Sequence, residues 1–245
     1  MSPIAISLVL GVIAGIANIL GGAVVYARVW RRTLLAYFIA LGSGFMLATA
    51  LTEMVPESLR LAPTRAPVLI LAGYFIVHVF EHSLPAHFHF GEETHAAEFM
   101  NPRVAYTALG GLLIHTFFDG VAIASGFLVS AWLGTVIFGA VILHNVPEGF
   151  TMASIMRAAG KAKTEGIAAV GALGVSRIVG ILAMAAFSRD VSSGLAISGG
   201  VTLYVAASDL IPEVSKMPGP RIALIVAAGM FLVLLLRVVF LAHAS

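Results

Sequence analysis

Eight apolar stretches follow one another along the chain, and this pattern limits what it can fold into. A helix rises about 1.5 Å per residue and a bilayer core is about 30 Å thick, so a stretch of about 20 residues can cross a membrane. With 60% hydrophobic and 11% charged residues, the composition agrees. We predict an all-α integral membrane protein with one domain, residues 1–245. Its spans are Ile4 to Ala27, Thr33 to Pro56, Pro67 to Ser83, Arg103 to Val129, Trp132 to Met156, Gly166 to Phe187, Ser193 to Ile211 and Arg221 to Leu241.

The positions of lysine and arginine predict how the spans are oriented, because cytoplasmic loops are enriched in both residues. With the N-terminus outside, nine basic residues fall on the cytoplasmic side and four on the outer side. The nine are Arg28, Arg31, Arg32, Arg103, Arg157, Lys161, Lys163, Lys216 and Arg221; the four are Arg60, Arg65, Arg189 and Arg237. This asymmetry predicts that both termini lie outside and that the histidine-containing loop at about 85–102 is cytoplasmic.

Two polar clusters interrupt the fourth and fifth spans. Residues 115–120 read HTFFDG and residues 144–149 read HNVPEG, at an offset of 29 residues. In each cluster a histidine and a carboxylate stand four residues apart, so both side chains lie on one face of a helix. We expect two such helices to bring four ionisable side chains to a common point. These side chains are His115, Asp119, His144 and Glu148.

The chemistry of the four side chains predicts a site for a divalent metal. Ionisable groups at bilayer depth cost several kcal/mol unless they are paired or hydrated, so they indicate a function. Two neutral imidazoles and two carboxylates carry two negative charges, which a divalent cation balances. With no cysteine in the chain, the ligands are nitrogen and oxygen, which suits Zn²⁺, Fe²⁺, Mn²⁺ or Cd²⁺ better than Mg²⁺ or Ca²⁺. The alternative is a polar cluster that only holds two helices together.

The empty site has a predictable chemistry of its own. Two neighbouring carboxylates in a low-dielectric environment disfavour each other's ionisation, so at least one of them should hold a proton when no metal is bound. Entry of a metal would then expel protons. The sequence therefore predicts that metal movement is coupled to proton exchange.

A second internal similarity, at an offset of 156 residues, relates the second span to the seventh. It aligns Glu53 with Asp209, and Pro56-Glu57 with Pro212-Glu213. The two spans run in opposite directions in the predicted topology, which indicates an inverted repeat of helices 1–3 and 6–8 around helices 4 and 5. Glu53 and Asp209 could guide cations, cap a helix or pair with Arg177. The two prolines are expected to mark breaks near helix ends.

Further candidate ligands lie in and after the third span. His78, Glu81 and His82 end this span and could receive metal that leaves toward the cytoplasm, or they are only interfacial. His87 and His89 belong to the polar loop that follows, which is either a weak chelating segment or a solvated acidic loop. We predict no defined coordination geometry there.

Together these motifs resemble the ZIP (Zrt/Irt-like) divalent metal transporters, of the bacterial type, over essentially all eight spans. The similarity rests on HTFFDG, HNVPEG and the Gly-x-x-Leu-x-x-Ala…Pro-Glu segments of spans two and seven. It implies eight helices in a 3+2+3 arrangement, in the inner membrane of a bacterium. It also implies a non-enzymatic transporter, often a homodimer, that moves zinc or a similar metal toward the cytoplasm without an organic cofactor. By position, the main-site ligands would be His115, Asp119, His144 and Glu148. Asn145 would flank them, on the side where some members bind a second metal.

Two residues depart from the family pattern. Thr116 stands where many members carry asparagine, and Arg177 stands in a sixth-span segment where two-metal members carry glutamate. Because arginine is permanently cationic, we predict that its guanidinium occupies the second-metal position. It would pair with Asp119 or Glu148 and leave a single-metal site. The alternative is an ion pair of Arg177 with another acidic residue, Asp209 or Glu53.

The competing function is an intramembrane zinc-dependent hydrolase, protease-like or ceramidase-like. Such an enzyme needs an open coordination position and a base poised on water, which Glu148 could supply. The sequence contains no His-Glu-x-x-His motif, and hydrolysis has no need of an inverted repeat. A sensor or scaffold is a weaker alternative, since no soluble signalling domain is recognisable. The expected partners are the lipid bilayer and divalent metal ions. Nucleic acid is not expected, because the formal net charge is only +2.

Overall fold

Helices make up nearly all of this computed structural model, which describes residues 1–27, 32–83, 102–217 and 219–244. In chain order they are α1 Pro3–Ala27, α2 Arg32–Thr49, α3 Val55–Leu61, α4 Ala66–Ser83, α5 Pro102–Val129, α6 Ala131–Ala158, α7 Lys163–Ala186, α8 Val191–Tyr204, α9 Ile211–Ser215 and α10 Pro220–Ala244. π-helical turns join α2 to α3 (Ala50–Met54) and α8 to α9 (Val205–Leu210), and a 3₁₀ turn (Ser188–Asp190) precedes α8. No strand occurs in the described ranges, so the predicted all-α class is confirmed.

Seven helical runs are long and apolar enough to cross a membrane, and the chain is an integral membrane protein. They are Pro3–Ala27, Thr33–Leu61, Ala105–Val129, Ala131–Ala158, Lys163–Ala186, Ser188–Ser215 and Pro220–Phe240. The third predicted span falls on α4, whose apolar part, Ala66–Phe80, is shorter than these seven. Among the described residues the structure therefore provides seven membrane-length helices where eight were predicted.

The helices of the second and seventh spans continue past their prolines. Pro56 and Pro212 each stand in the first turn of a new α-helical segment, directly after a π-helical turn. In these turns the Val55 N–H donates to the carbonyl of Ala50, five residues back, and Ile211 repeats the pattern. Proline has no backbone N–H, and in the first turn of an α-helix that N–H would have no partner within the helix. The prolines therefore mark a change of helix type, with Glu53 and Asp209 inside the π-helical turns.

Four helices, α1, α5, α6 and α7, pack together and contain both polar clusters. Gly21 and Gly149 join α1 to α6, and Gly120 and Gly180 join α5 to α7. At each of these glycines a Cβ atom would overlap a backbone carbonyl of the opposite helix. Small residues permit this close backbone approach between membrane helices. Gly120 and Gly149 end the two motifs, so each motif includes the residue that sets the distance to its neighbouring helix.

The remaining long helices form two further close pairs, α2 with α10 and α4 with α8. Each pair again has two glycines that face carbonyls of the partner helix. In the first pair Gly44 lies against Val226 and Gly229 against Leu41; in the second Gly200 lies against Ile70 and Gly73 against Ile197. Each residue of one set is 156 positions from its counterpart in the other set. The offset found in the sequence therefore recurs in the packing.

Candidate metal site

Three side chains with metal-ligating atoms converge between α5 and α6. Ligand atoms of His115, Asp119 and His144 all lie within 4.8 Å of one another. The Nε2 atom of His144 is 3.3 Å from both His115 Nε2 and Asp119 Oδ2, and His115 Nε2 is 3.6 Å from Asp119 Oδ2. All three side chains are buried. The i, i+4 spacing within one helix and the packing of the second helix against it thus bring these groups together.

The ring of His144 is oriented by a hydrogen bond to its own helix. Its Nδ1 atom donates to the carbonyl oxygen of Ala140 at 2.8 Å, since a carbonyl can only accept. In the neutral imidazole the other nitrogen, Nε2, then carries a lone pair. This lone pair lies beside the Asp119 carboxylate and the His115 ring. A cation between these converging electron pairs would reduce their mutual repulsion. The hydrogen bond to the Ala140 carbonyl fixes the orientation of the His144 ring, as such bonds do for metal-ligating histidines.

Glu148, the fourth predicted ligand, lies beside this cluster but is held by other groups. Its Oε2 atom accepts a hydrogen bond from Asn18 Nδ2 at 2.7 Å and lies 3.5 Å from Arg177 Nη2. Its Oε1 atom is buried and has no hydrogen-bond partner in the described part of the chain. Glu148 therefore keeps one oxygen free, although it does not belong to the close group of three.

Arg177 lies on α7 and is fully buried against the two motif helices. Its Nη2 atom donates to Asn145 Oδ1 at 3.0 Å and lies 3.5 Å from both Asp119 Oδ2 and Glu148 Oε2. The guanidinium thus contacts both carboxylates that the sequence suggested as its partners. A buried charge needs such compensation, because the desolvation of an unpaired arginine costs several kcal/mol.

The polar residues on the second-metal side are already engaged within the protein. Asn145 accepts from Arg177 through Oδ1 and donates through Nδ2 to the carbonyl of Ala14 at 2.9 Å. The Thr116 hydroxyl donates to the carbonyl of Leu112, also at 2.9 Å. Asn145 was predicted to flank a metal, but in this geometry its amide links α1, α6 and α7.

Glu53 and Asp209 are buried in their π-helical turns and do not pair with Arg177. The indole Nε1 of Trp132 donates to Glu53 Oε2 at 2.9 Å, and Arg237 Nη1 lies 3.4 Å from the other oxygen. The alternative pairing of Arg177 with Glu53 or Asp209 is therefore not adopted. The partners of Glu53 come from α6 and α10, which no local sequence pattern indicated.

The remaining candidates are only partly covered by the structure. His78 lies on α4, with its ring 5.8 Å from the Phe75 ring and 5.9 Å from the Tyr204 ring. Glu81 and His82 belong to the last turn of α4, but their side chains lie outside the described residues. His87 and His89 fall within 84–101, which is also outside them.

Asn18 is a site residue that the sequence reasoning missed. It is fully buried on α1 and donates to Glu148. No spacing motif surrounds it. The available signal was a lone amide inside an apolar span, where an unsatisfied polar group is costly.

This chain matches a family profile and a known protein. A family profile described as ZIP zinc transporter matches residues 91–237. The zinc transporter SLC39A7 of Mus musculus is 28% identical over 136 residues, which is 51% of this chain and 29% of the mouse protein. The chain therefore spans less than a third of that relative's length. The family match includes the four predicted ligands and Arg177, but none of the helices α1 to α4.

Proposed function

This chain belongs to the ZIP zinc transporter family, and on that premise we propose that it carries zinc across the membrane toward the cytoplasm. Fe²⁺, Mn²⁺ and Cd²⁺ are further proposed cargoes, because first-row selectivity depends on geometry and supply as well as on ligand type. One observation carries the proposal. The buried group of His115, Asp119 and His144 lies within helices that are long and apolar enough to span a bilayer.

The proposed metal site has four ligands. His115, Asp119 and His144 contribute the three converging atoms, and Glu148 contributes Oε1, which is buried and without a hydrogen-bond partner in the described ranges. Two imidazole nitrogens and two carboxylate oxygens form a set that tetrahedral Zn²⁺ accepts. The metal is the cargo here, so the ligand set must also release it.

The site is proposed to hold a single metal ion. Arg177 Nη2 lies 3.5 Å from both carboxylates, and the oxygen of Asn145 accepts from the same nitrogen. A second cation beside Asp119 and Glu148 would meet a buried guanidinium whose charge cannot be removed. Asn145, proposed from the resemblance as a flanking ligand, is available only if this bond to Arg177 breaks.

The proposed architecture has eight spans in a 3+2+3 arrangement, with α4 as the third span. The four glycine contacts of the pairs α2–α10 and α4–α8, which are related by one offset of 156 residues, support an inverted repeat. In the repeat, spans 1–3 correspond to spans 6–8. The second span (α2) then corresponds to the seventh (α8), and the third (α4) to the eighth (α10), so the contact of α2 with α10 maps onto that of α8 with α4. Such repeats allow access to a midplane site to alternate between the two sides of a membrane.

A route to and from the site is proposed from the acidic residues of the repeat. Glu53 lines a cavity of about 290 Å³ together with Glu57, Arg60 and Trp132, and we place this cavity at the outer end. Asp209 is its counterpart near the cytoplasmic end. The proposed exit ligands there are His78, Glu81, His82, His87 and His89.

The cellular setting is proposed from the charge distribution and the resemblance. Residues 1–245 form one transmembrane domain in a bacterial inner membrane, with both termini outside and the loop at about 85–102 in the cytoplasm. A homodimer is proposed from the resemblance alone.

We propose that metal entry is coupled to the release of protons from the site. The prediction assumed two carboxylates that must share a proton when no metal is present. Arg177 compensates part of their negative charge in that state, which lessens the need for a proton. A pH indicator enclosed in transport vesicles counts the protons that leave as metal enters.

Zinc uptake into vesicles tests the proposed function. The purified chain is reconstituted into liposomes that contain a fluorescent zinc indicator, and zinc is added outside. We expect saturable uptake above that of protein-free liposomes. Reconstituted protein that binds zinc but produces no flux in either direction would contradict transport. Zinc-dependent cleavage of peptide or amide-lipid substrates by that preparation would favour the hydrolase instead.

A further inference from the structure

We infer that Asn18 is a positioning residue of the metal site, which holds one oxygen of Glu148 so that the other serves as a single metal ligand. This inference rests on the proposed function and assigns to the site a helix, α1, that carries none of the ligand motifs. Asn18 does not need to touch the metal. It acts on the metal through the orientation of the carboxylate.

The hydrogen bond between the two side chains distinguishes the two oxygens of Glu148. Asn18 Nδ2 donates to Oε2 at 2.7 Å, a short bond to a carboxylate. Oε1 is equally buried but has no hydrogen-bond partner in the described part of the chain. A carboxylate held through one oxygen presents the other with limited rotational freedom. The amide therefore favours coordination through Oε1 alone.

The packing of α1 against α6 keeps Asn18 in place. Gly149, next to Glu148, lies directly against the backbone carbonyl of Asn18, and Gly21 lies against that of Val146. A second hydrogen bond from a side-chain amide, from Asn145 Nδ2 to the Ala14 carbonyl, joins the helices one turn away. With two close backbone contacts and two amide hydrogen bonds, α1 has little freedom to slide relative to the second motif.

Asn18 and Arg177 occupy matching places beside the two motifs. The Asn18 carbonyl lies against Gly149, and the Arg177 carbonyl lies against Gly120. From these positions, each side chain reaches the carboxylate that precedes the glycine. One motif is thus flanked by a neutral amide and the other by a guanidinium. A residue in this position therefore interacts with the ligand carboxylate in both halves of the site.

Loss of Asn18 would leave Arg177 as the remaining partner of Glu148. The guanidinium already lies 3.5 Å from Oε2, so the carboxylate would turn toward it and pair with it more closely. A carboxylate paired with arginine is a poorer metal ligand. Groups that hydrogen-bond a metal ligand from behind typically change metal affinity about 10–100-fold when they are removed.

Metal binding by purified Asn18→Ala tests the inference. We expect the zinc affinity measured by calorimetry to fall about 10–100-fold at an unchanged stoichiometry. We also expect the visible absorption of bound Co²⁺ to change, because its intensity reports coordination number and geometry. Loss of a bond that only held α1 to α6 would lower thermal stability but would leave the cobalt spectrum of the bound form unchanged.

Ser176→Ala is the matched control. The Ser176 hydroxyl makes a similar interhelical bond, at 2.7 Å to the Leu113 carbonyl, without touching Glu148. Its zinc affinity and cobalt spectrum should equal those of the wild type. If Asn18→Ala does not yield monodisperse protein, Asn18→Leu fills the space with a branched side chain of related shape and also removes the donor.

The outcomes separate this inference from the proposed function. If the wild type and the Asn18 variant bind zinc equally well and give the same cobalt spectrum, the positioning role is refuted while the metal site stands. If the wild type binds neither zinc nor cobalt, the proposed function fails first. A weaker affinity together with an altered spectrum, both confined to the Asn18 variants, supports the inference.

Discussion

His144→Ala is expected to abolish zinc uptake into proteoliposomes and to lower zinc affinity more than about 100-fold. Removal of a metal ligand weakens metal binding more than removal of a group that only hydrogen-bonds to a ligand. His144 Nε2 lies 3.3 Å from the nearest ligand atoms of both His115 and Asp119, so it is central to the cluster. The methyl group of alanine supplies no donor atom. His115 and Asp119 would then remain as the converging ligands, beside the Glu148 carboxylate that Arg177 also contacts.

Thr135→Ala is the control for this variant. It lies on the same helix as His144, on an exposed position, and its hydroxyl only donates to the Ala131 carbonyl. Uptake by this variant should equal that of the wild type. Size-exclusion profiles and thermal melting of both variants show whether His144→Ala is folded. Transport by folded His144→Ala at the wild-type rate would exclude the cluster as the transport site.

Arg177→Glu is expected to raise the zinc stoichiometry from one ion to two per chain. The substitution replaces a buried positive charge by a negative one beside Asp119 and Glu148, which Arg177 contacts in this structure. By the family resemblance, it also supplies the glutamate that two-metal members carry at this position. Without metal, three clustered carboxylates repel one another, and the broken buried ion pair costs about 3–5 kcal/mol. The metal-free variant should therefore unfold at a lower temperature and recover on addition of zinc.

Equilibrium dialysis with elemental analysis measures the stoichiometry, and thermal melting with and without zinc measures the stability. Arg177→Gln is the matched control, because it removes the cation without adding a ligand charge. It should lose stability yet bind one zinc ion. Two zinc ions bound by the wild type, with Arg177 intact, would contradict the single-metal site.

The local parts of the site could be predicted from the sequence because helix periodicity fixes them. A histidine and a carboxylate four residues apart share a helix face whatever the rest of the fold does. Two such pairs on adjacent spans meet only where these faces pack together, which holds here for His115, Asp119 and His144 but not for Glu148. Arg177 was predicted beside Asp119 or Glu148 from the family resemblance of its segment, since the need of a charged residue for a buried partner did not by itself exclude Glu53 or Asp209.

The parts that sequence reasoning missed depend on how distant helices pack. Asn18 reaches Glu148 only because glycines bring α1 into backbone contact with α6, and no spacing within α1 indicates this. The partners of Glu53, Trp132 and Arg237, likewise come from other helices. The π-helical turns before Pro56 and Pro212 depend on hydrogen-bond register, which composition does not report. A proline alone predicts a break, while the extra residue in the preceding turn lets the helix continue.

The most direct test of the metal site is the zinc X-ray absorption spectrum of the purified chain loaded with one equivalent of zinc. We predict four nitrogen and oxygen ligands at about 2.0–2.2 Å, with the outer-shell scattering of two imidazole rings. That imidazole scattering should be reduced in His115→Ala and in His144→Ala. A spectrum without imidazole scattering, or one that neither substitution changes, would contradict a cargo site built from His115, Asp119, His144 and Glu148.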